Sequence, residues 1–364
     1  MKLLEYIDKY GDLAFNEESF NMIDAAIFSY LSYVKFDNII DNNEMSIESA
    51  GSLHYKKNNN KIDKELKAIK ESTNLLYSIM KTKRYKDCKI MKYVYDESTQ
   101  FCALSIEFMP KKIFVSFEGS DGSISGWIEN FNLSYSFPTI SHKEAIKYLE
   151  RSYTLSSVEL YLGGHSKGGN LAQVSGAFSN FLVEHKIKKI YSFDGPGLLD
   201  REYKTKKYQK ICNKYIHIIP NSSLIGMLLN NSNELVVLSK SIAPNSHDIF
   251  TWEIDNCNFS EAKLDSYSKE FRENIFNFLK KYNEKEREDF VHNLSKIFEK
   301  SNIISITDFK GNYKKAISVL KSAKDISNEN KKFILDFINV FVKAFQRVAT
   351  NKAKSIIESI KKSN

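Results

Sequence analysis

The sequence predicts an α/β fold built on a mostly parallel central sheet, with a helical segment before it and a helical extension after it. Turn-forming residues are concentrated in the middle of the chain: all five prolines lie between Pro110 and Pro244, and eleven of the fourteen glycines between Gly119 and Gly226. Turn-dense chain marks a strand-and-loop region. Within it, short apolar or alternating runs alternate with helical ones, and one apolar run passes straight through a glycine-rich turn into a helix.

Ahead of that region, residues 20–34 place Ile23, Ala26, Ile27, Tyr30, Leu31 and Val34 at helical spacing, and residues 62–80 are also helical in pattern. These leading helices are expected to pack on the sheet. Strands are expected at residues 89–95, 101–108, 113–117, 158–162, 187–193, 215–219 and 234–238, with helices at 143–150 and 170–183. Strands separated by helices imply parallel pairing, and the earliest three are close enough to form hairpins on an antiparallel edge. Three regions follow: a helical segment at 1–84 packing on the core, the core at 85–260, and a basic helical extension at 261–364.

Composition narrows the class. The 364 residues are 42% apolar and 27% charged with no long low-complexity tract, which excludes disordered and fibrous chains and suffices for a large core. Cys88, Cys102, Cys212 and Cys257 form no C-x-x-C pair. They are read as core thiols, and neither a metal nor a cofactor is expected. Met1-Lys2-Leu3-Leu4-Glu5-Tyr6 lacks the unbroken apolar stretch of a secretory signal, and Asp336, Lys343 and Arg347 interrupt the apolar run at 333–348, so a cytoplasmic protein is expected. Residues 261–364 carry 22 Lys and Arg against 14 Asp and Glu, a balance of +8 equal to that of the whole chain. A basic helical module either meets an anionic surface, such as a membrane face, or simply solvates a helical bundle, and the second reading is preferred. No recognised nucleic-acid motif occurs, so no nucleic-acid partner is expected.

The most informative stretch runs from Val158-Glu159-Leu160-Tyr161-Leu162 through Gly163-Gly164-His165-Ser166-Lys167-Gly168-Gly169 to Asn170-Leu171-Ala172. It holds G-x-S-x-G directly after an apolar strand and directly before a helix, the context in which that pattern carries chemistry. Ser166 is expected on a strained turn with its hydroxyl above the sheet, and the small residues on either side let strand and helix approach closely. The backbone N–H of Lys167, at the start of the helix, then faces the place where an oxyanion forms. A glycine-rich turn that binds an anion, or a fold that has lost catalysis, would look similar. With the strand and helix order above, this is the α/β-hydrolase arrangement, a mostly parallel central sheet flanked by helices.

Upstream, the strand Ile113-Phe114-Val115-Ser116-Phe117 breaks into Glu118-Gly119-Ser120-Asp121-Gly122-Ser123, followed by the aromatic-led helix containing Trp127, Ile128 and Phe131. Acyl transfer needs a second N–H from the loop after this strand, and Ser120 is its natural supplier. An ordinary turn would use the same residues.

Phe117-Glu118-Gly119-Ser120, Trp127-Ile128 and the Gly164-His165-Ser166 elbow together resemble the class 3 lipases. Asp12-Leu13-Ala14-Phe15, residues 24–33, Phe193-Asp194-Gly195-Pro196-Gly197, residues 223–228 and His247-Asp248-Ile249-Phe250-Thr251-Trp252 are similar to a bacterial lipase-like family known as a domain of unknown function. The resemblance covers roughly residues 1–260. It implies a Ser-His-Asp hydrolase with a covering segment after Trp127.

Seven histidines are available as a base. His165 sits inside the elbow pointing away from the serine hydroxyl, His217 is on an apolar strand, and His54, His142, His185 and His292 fall in helical or linker stretches. His247 remains, in the loop after the last expected strand, and this fold places the base after the acid in chain order. Asp194 ends a strand and enters Gly195-Pro196-Gly197, at the sheet edge that carries Ser166, although a turn-initiating Asp is also common before Gly-Pro. Asp248 and Asp200 rank lower. In class 3 lipases the acid follows the next strand, where this chain has Ile219-Pro220-Asn221-Ser222-Ser223 and no carboxylate. Glu118 stands where those lipases carry arginine, and Lys167 replaces an apolar residue. A lysine there either favours an anionic substrate group or points to solvent.

The expectation is a serine esterase or lipase-like hydrolase acting on a carboxylic ester, of lipid acyl type by analogy, with Ser166, His247 and Asp194 catalytic and Ser120 and Lys167 forming the oxyanion hole. The extension would then touch an anionic membrane peripherally. The alternative is a catalytically inactive hydrolase-fold protein that binds a partner through its basic helical module.

Overall fold

The computed structural model describes residues 1–40, 44–58, 62, 66–120, 124–302, 306–323 and 326–339. The chain opens with α1 (Leu3–Tyr10) and α2 (Met22–Leu31), a two-residue strand β1 (Met45–Ser46), α3 (Ile47–Asn58) and α4 (Lys67–Ile79). Asn21 starts α2 with a reciprocal cap: its side chain accepts from the Ile23 N–H at 2.8 Å, and Asp24 accepts the Asn21 N–H at 2.9 Å. Residues 23 to 31 of α2 are all buried, which fits a helix that is apolar on every side. It lies between the sheet and the other leading helices, packed on strands of the sheet centre.

The sheet continues with β2 (Lys89–Asp96), β3 (Phe101–Met109) and β4 (Lys112–Phe117), then α5 (Ile124–Asn132), α6 (Ile140–Tyr153), β5 (Glu159–His165), α7 (Lys167–Phe178) and α8 (Phe181–Glu184). It is completed by β6 (Ile187–Phe193), α9 (Asp200–Tyr203), α10 (Lys206–Ile211), β7 (Tyr215–Pro220) and β8 (Glu234–Val237), with a small hairpin of β9 (Ile254–Asp255) and β10 (Asn258–Phe259) beyond. The eight strands pair in chain order. Pairing is antiparallel from β1 to β4 and parallel from β4 to β8. All seven expected strands are present. β1 was not foreseen, because two residues are too short to show alternation.

Both faces of the sheet are covered. Ile90, Leu104, Ile106, Phe114 and Phe193 pack with the leading helices, whereas Ala103, Val115, Leu160, Leu162 and Ile190 pack with α6, α7 and α10. This is the α/β-hydrolase fold. Register aligns the carboxyl ends of the parallel strands: Phe117 pairs with Gly164, His165 with Phe193, Phe193 with Ile218, and Pro220 with Val237. Every loop leaving this edge is therefore a neighbour of the next, the usual position of a site in a parallel sheet. Two cysteines, Cys88 and Cys102, are buried thiols; Cys212 and Cys257 are half-buried nearer the surface.

The extension folds into α11 (Ser266–Lys281), α12 (Glu284–Lys300), α13 (Ile306–Ser322) and a helical run at 328–339. The rest of the apolar run at 333–348 lies outside the described residues. Phe271, Ile275, Phe290, Leu294, Phe333 and Ile338 form a second core that also takes in Phe131 of α5 and Leu224 and Met227 of the loop after β7. The extension thus sits over the carboxyl edge of the sheet. Among the described residues no helix is long and apolar enough to cross a membrane.

Candidate active site

β5 delivers Gly163-Gly164-His165 into Ser166, whose backbone lies at φ 57° and ψ −129°. An L-residue is strained there, and the surroundings hold it in place. The Ser166 N–H donates to the Phe193 carbonyl at 2.9 Å, and its own carbonyl accepts from the Gly169 N–H at 2.9 Å. The motif glycines are required by close approach: a Cβ on Gly164 would stand 2.2 Å from the Gly168 carbonyl carbon, and one on Gly168 2.0 Å from the Phe117 carbonyl oxygen. α7 begins at Lys167, so its first N–H groups have no partner within the helix.

Asp194 follows β6 with φ 50°, and its N–H donates to the Ile218 carbonyl at 2.7 Å. The carboxyl is 1% exposed and fully engaged. His247 Nδ1 lies 2.7 Å from Oδ2, while Oδ1 accepts the Gly226 N–H at 3.0 Å and the Ser223 hydroxyl. The loop after β7 thus supplies two of the donors that hold this carboxyl.

His247 ends the turn Asn245–His247, with its side chain 27% exposed, so the imidazole stands between a buried carboxylate and the open edge. The turn is pinned by Trp252 Nε1 donating to the Ser246 carbonyl at 2.7 Å and by the Ser246 hydroxyl donating to the Ser222 carbonyl at 3.1 Å. His165 Nε2 donates to the His247 carbonyl at 2.8 Å, and the Tyr33 hydroxyl donates to Nδ1 at 3.1 Å. This pattern assigns a neutral His165 with its proton on Nε2. Burial, followed by the neighbouring His247, holds that imidazole well below the ordinary histidine range.

The loop after β4 closes on Ser166: a Cβ on Gly119 would lie 2.4 Å from the His165 carbonyl oxygen and 3.1 Å from Ser166 Cβ. Asn130 Nδ2 donates to the Ser120 hydroxyl at 3.0 Å. Two ion pairs flank this loop. Lys35 Nζ reaches Glu118 at 2.9 Å, and Lys167 Nζ reaches Glu129 at 2.5 Å while also donating to the Gln100 carbonyl at 2.8 Å. Burial pushes the Glu118 carboxyl up, with Lys35 offsetting part of the effect. Lys167 is 3% exposed. It neither points to solvent nor offers a free charge to an anionic substrate, which corrects both expectations for its side chain.

Among the other candidates, Asp248 pairs with Lys67 at 2.5 Å and Asp200 with Lys204 at 2.6 Å, so neither carboxylate is held by the imidazole. His217 Nε2 donates to the Gly195 carbonyl at 2.9 Å. Tyr33, Ser223, Gly226, Glu129 and Asn130, and the His165 contact, hold the site together in ways to which the sequence assigns no role. An apolar cavity between α5, the loops at 196 and 228 and the extension is lined by Phe131, Pro196, Leu228, Ile275, Phe278 and Phe290, and neither Ser166, Asp194 nor His247 lines it.

Comparison with known proteins adds a family. The model of the Mbeg1-like family matches residues 79–296. Among solved structures, the Rhizomucor miehei lipase in complex with its propeptide is 13% identical, with a TM-score of 0.36 over 65% of this chain and 81% of that one. Lipase II of Rhizopus niveus is 12% identical, with a TM-score of 0.34 over 56% of this chain and 71% of that one. MDLA of Penicillium cyclopium is 12% identical, with a TM-score of 0.38 over 72% of this chain and 87% of that one. No curated protein matches. Because the family model spans more than half of the sequence and includes the elbow, Asp194 and His247, the chain belongs to the Mbeg1-like family.

Proposed function

We propose that the protein is a serine hydrolase that cleaves a carboxylic ester, of lipid acyl type, through an acyl-enzyme. The observation that carries this reading is the bond from His247 Nδ1 to Asp194 Oδ2 at 2.7 Å, at the sheet edge that holds Ser166 in a strained turn. In this reading Ser166 Oγ attacks the ester carbonyl while His247 Nε2 takes its proton. The backbone N–H groups of Ser120 and Lys167 hold the oxyanion, and collapse of the tetrahedral intermediate expels the alcohol, which receives the proton from His247. Water then repeats the attack on the acyl-enzyme, returning the acid and Ser166. Asp194 keeps the Nδ1 proton in place, so Nε2 faces the reaction as an acceptor. Peripheral contact of the basic helices with an anionic membrane belongs to the same reading, and binding to anionic vesicles that weakens with salt would test it.

The deciding experiment is reaction of the full-length protein with a fluorophosphonate in buffer and in detergent, followed by peptide mapping. Modification at Ser166, lost in His247→Ala, supports the activated nucleophile and directs a screen of ester substrates. No modification in either medium would leave a hydrolase fold that acts by binding.

A further inference from the structure

Glu129 and Asn130 are consecutive residues of α5, and they reach the two segments proposed to supply the oxyanion donors. Glu129 Oε2 lies 2.5 Å from Lys167 Nζ, on the residue after the nucleophile, and its Oε1 accepts the Ser141 hydroxyl at 2.7 Å. Asn130 Nδ2 holds the Ser120 hydroxyl at 3.0 Å. The Lys167–Glu129 pair is nearly dry, with side chains 4% and 16% exposed, so breaking it leaves a charge in a poorly solvated place. The carbonyl of Gln100, at 2.8 Å, ties the same ammonium to the start of β3.

We infer that Glu129 is a positioning residue which, through Lys167, locks α5 to the nucleophile helix and so fixes the spacing of the two oxyanion donors. This rests on the esterase reading for its catalytic consequence, but the mechanical link does not. The two donors come from segments more than forty residues apart. A hydrogen bond to a developing oxyanion demands placement within a few tenths of an ångström. A helix that grips both segments through adjacent side chains supplies that placement, and α5 then moves together with the site instead of as a separate flap. Phe131, the next residue, anchors the same helix in the core of the extension, so α12 and its neighbours bear on the same spacing.

The test uses the full-length protein with Glu129→Gln, close in shape but uncharged, and Ser141→Ala, which leaves both charges in place should Glu129→Gln fail to fold. Amide exchange of segments 117–120 and 166–170 is measured together with the limiting rate and half-saturating concentration of fluorophosphonate reaction at Ser166. Glu129→Gln is expected to speed exchange in both segments about tenfold or more, leave β6 and β7 unchanged, and lower the limiting rate about tenfold with half-saturation unaltered. Ser141→Ala is expected to shift both in the same direction by about threefold. Exchange within twofold of the parent overturns the lock, and faster exchange with an unchanged limiting rate overturns its role in positioning. Absence of reaction in the parent protein sinks the esterase reading, whereas the exchange data still stand for or against the lock.

Discussion

Asp194 Oδ2 faces His247 Nδ1 at 2.7 Å, and the other oxygen of that carboxyl is held by the Gly226 N–H at 3.0 Å and by the Ser223 hydroxyl. An amide in place of the carboxyl keeps the shape, but the Gly226 and Ser223 donors take its carbonyl oxygen and so turn its NH₂ toward Nδ1. The imidazole then loses the partner that fixes its proton. Asp194→Asn is expected to lower the rate of Ser166 modification by about 10³–10⁴-fold, as expected when the acid of such a triad is neutralised. Ser223→Ala, which removes one donor from Oδ1, should cost about tenfold. Rates of fluorophosphonate reaction decide the matter, and an Asp194→Asn protein that reacts at the parental rate would remove Asp194 from the mechanism.

His165 was set aside as a base because it points away from the serine hydroxyl, and the structure gives that direction a use. It links Tyr33 on α2's C-terminal flank to the His247 backbone carbonyl, at 3.1 and 2.8 Å. His165→Phe fills the space but leaves the Tyr33 hydroxyl and the His247 carbonyl without this partner. The expected result is a loss of about 1–3 kcal/mol in stability and a slower reaction at Ser166, measured by denaturant unfolding and by labelling. Tyr33→Phe, which keeps the His165–His247 bond, should retain most of the reactivity. Equal loss in both variants would contradict a specific hold on His247.

These two cases show what was legible in the sequence. The turn at Ser166 can be read because its requirements are local: glycines where backbones touch, an apolar strand before and a helix after. Asp194 and His247 can be named because Asp194 directly follows β6 and His247 lies in the loop after the last strand of the sheet, in the acid-before-base chain order of this fold. The sequence assigns no individual role to Ser223, Gly226, Tyr33 or Glu129. Their roles are contacts to backbone groups or to residues far away in the chain, which leave no periodic trace. The helical pattern after residue 261 likewise shows that one face is buried without showing its partner, which turns out to include Phe131, Leu224 and Met227.

Four buried imidazoles, those of His54, His142, His165 and His217, bear on the response to acid. Burial lowers His142 to about 4, with Asn170 opposing, and also lowers His54, His165 and His217. Their unfolded values lie near 6.5, so below about pH 6.5 the unfolded chain binds protons that the folded chain refuses, and stability falls as pH falls. Glu71 and Glu118 act in the opposite sense. Burial raises both, Glu71 to about 7 with Asp248 contributing, so their protonation favours the folded state as pH drops. Replacing Glu71 by Gln removes part of that compensation. Melting temperature should therefore fall from pH 6.5 to pH 5 in the parent and fall more steeply in Glu71→Gln. A flat profile in the variant over that range would show that the buried histidines do not control it.

α2 is tied to the stretch between α4 and β2 by an ion pair whose side chains are both 0% exposed, Arg84 and Asp24. Arg84 Nε and Nη2 donate to the Asp24 carboxyl at 2.8 and 2.6 Å, and Nη1 donates to the Leu13 and Glu18 carbonyls at 3.0 and 2.8 Å. The Tyr85 hydroxyl donates to the same carboxyl at 2.6 Å, and the guanidinium lies 4.2 Å from the centre of the Phe15 ring. One planar fork thus satisfies a carboxylate and the carbonyls of the loop between α1 and α2, a task that a lysine cannot perform. Arg84→Met leaves Asp24 buried and those carbonyls without this donor, and should destabilise the protein by about 3–5 kcal/mol. Asp24→Asn in the same background removes the stranded charge and should recover part of the loss, so the two changes together cost less than their sum. Urea unfolding of the single and double variants gives the answer. A loss in Arg84→Met under about 1 kcal/mol, with no recovery in the double variant, would mean that packing of α2 on the sheet holds this segment without the pair.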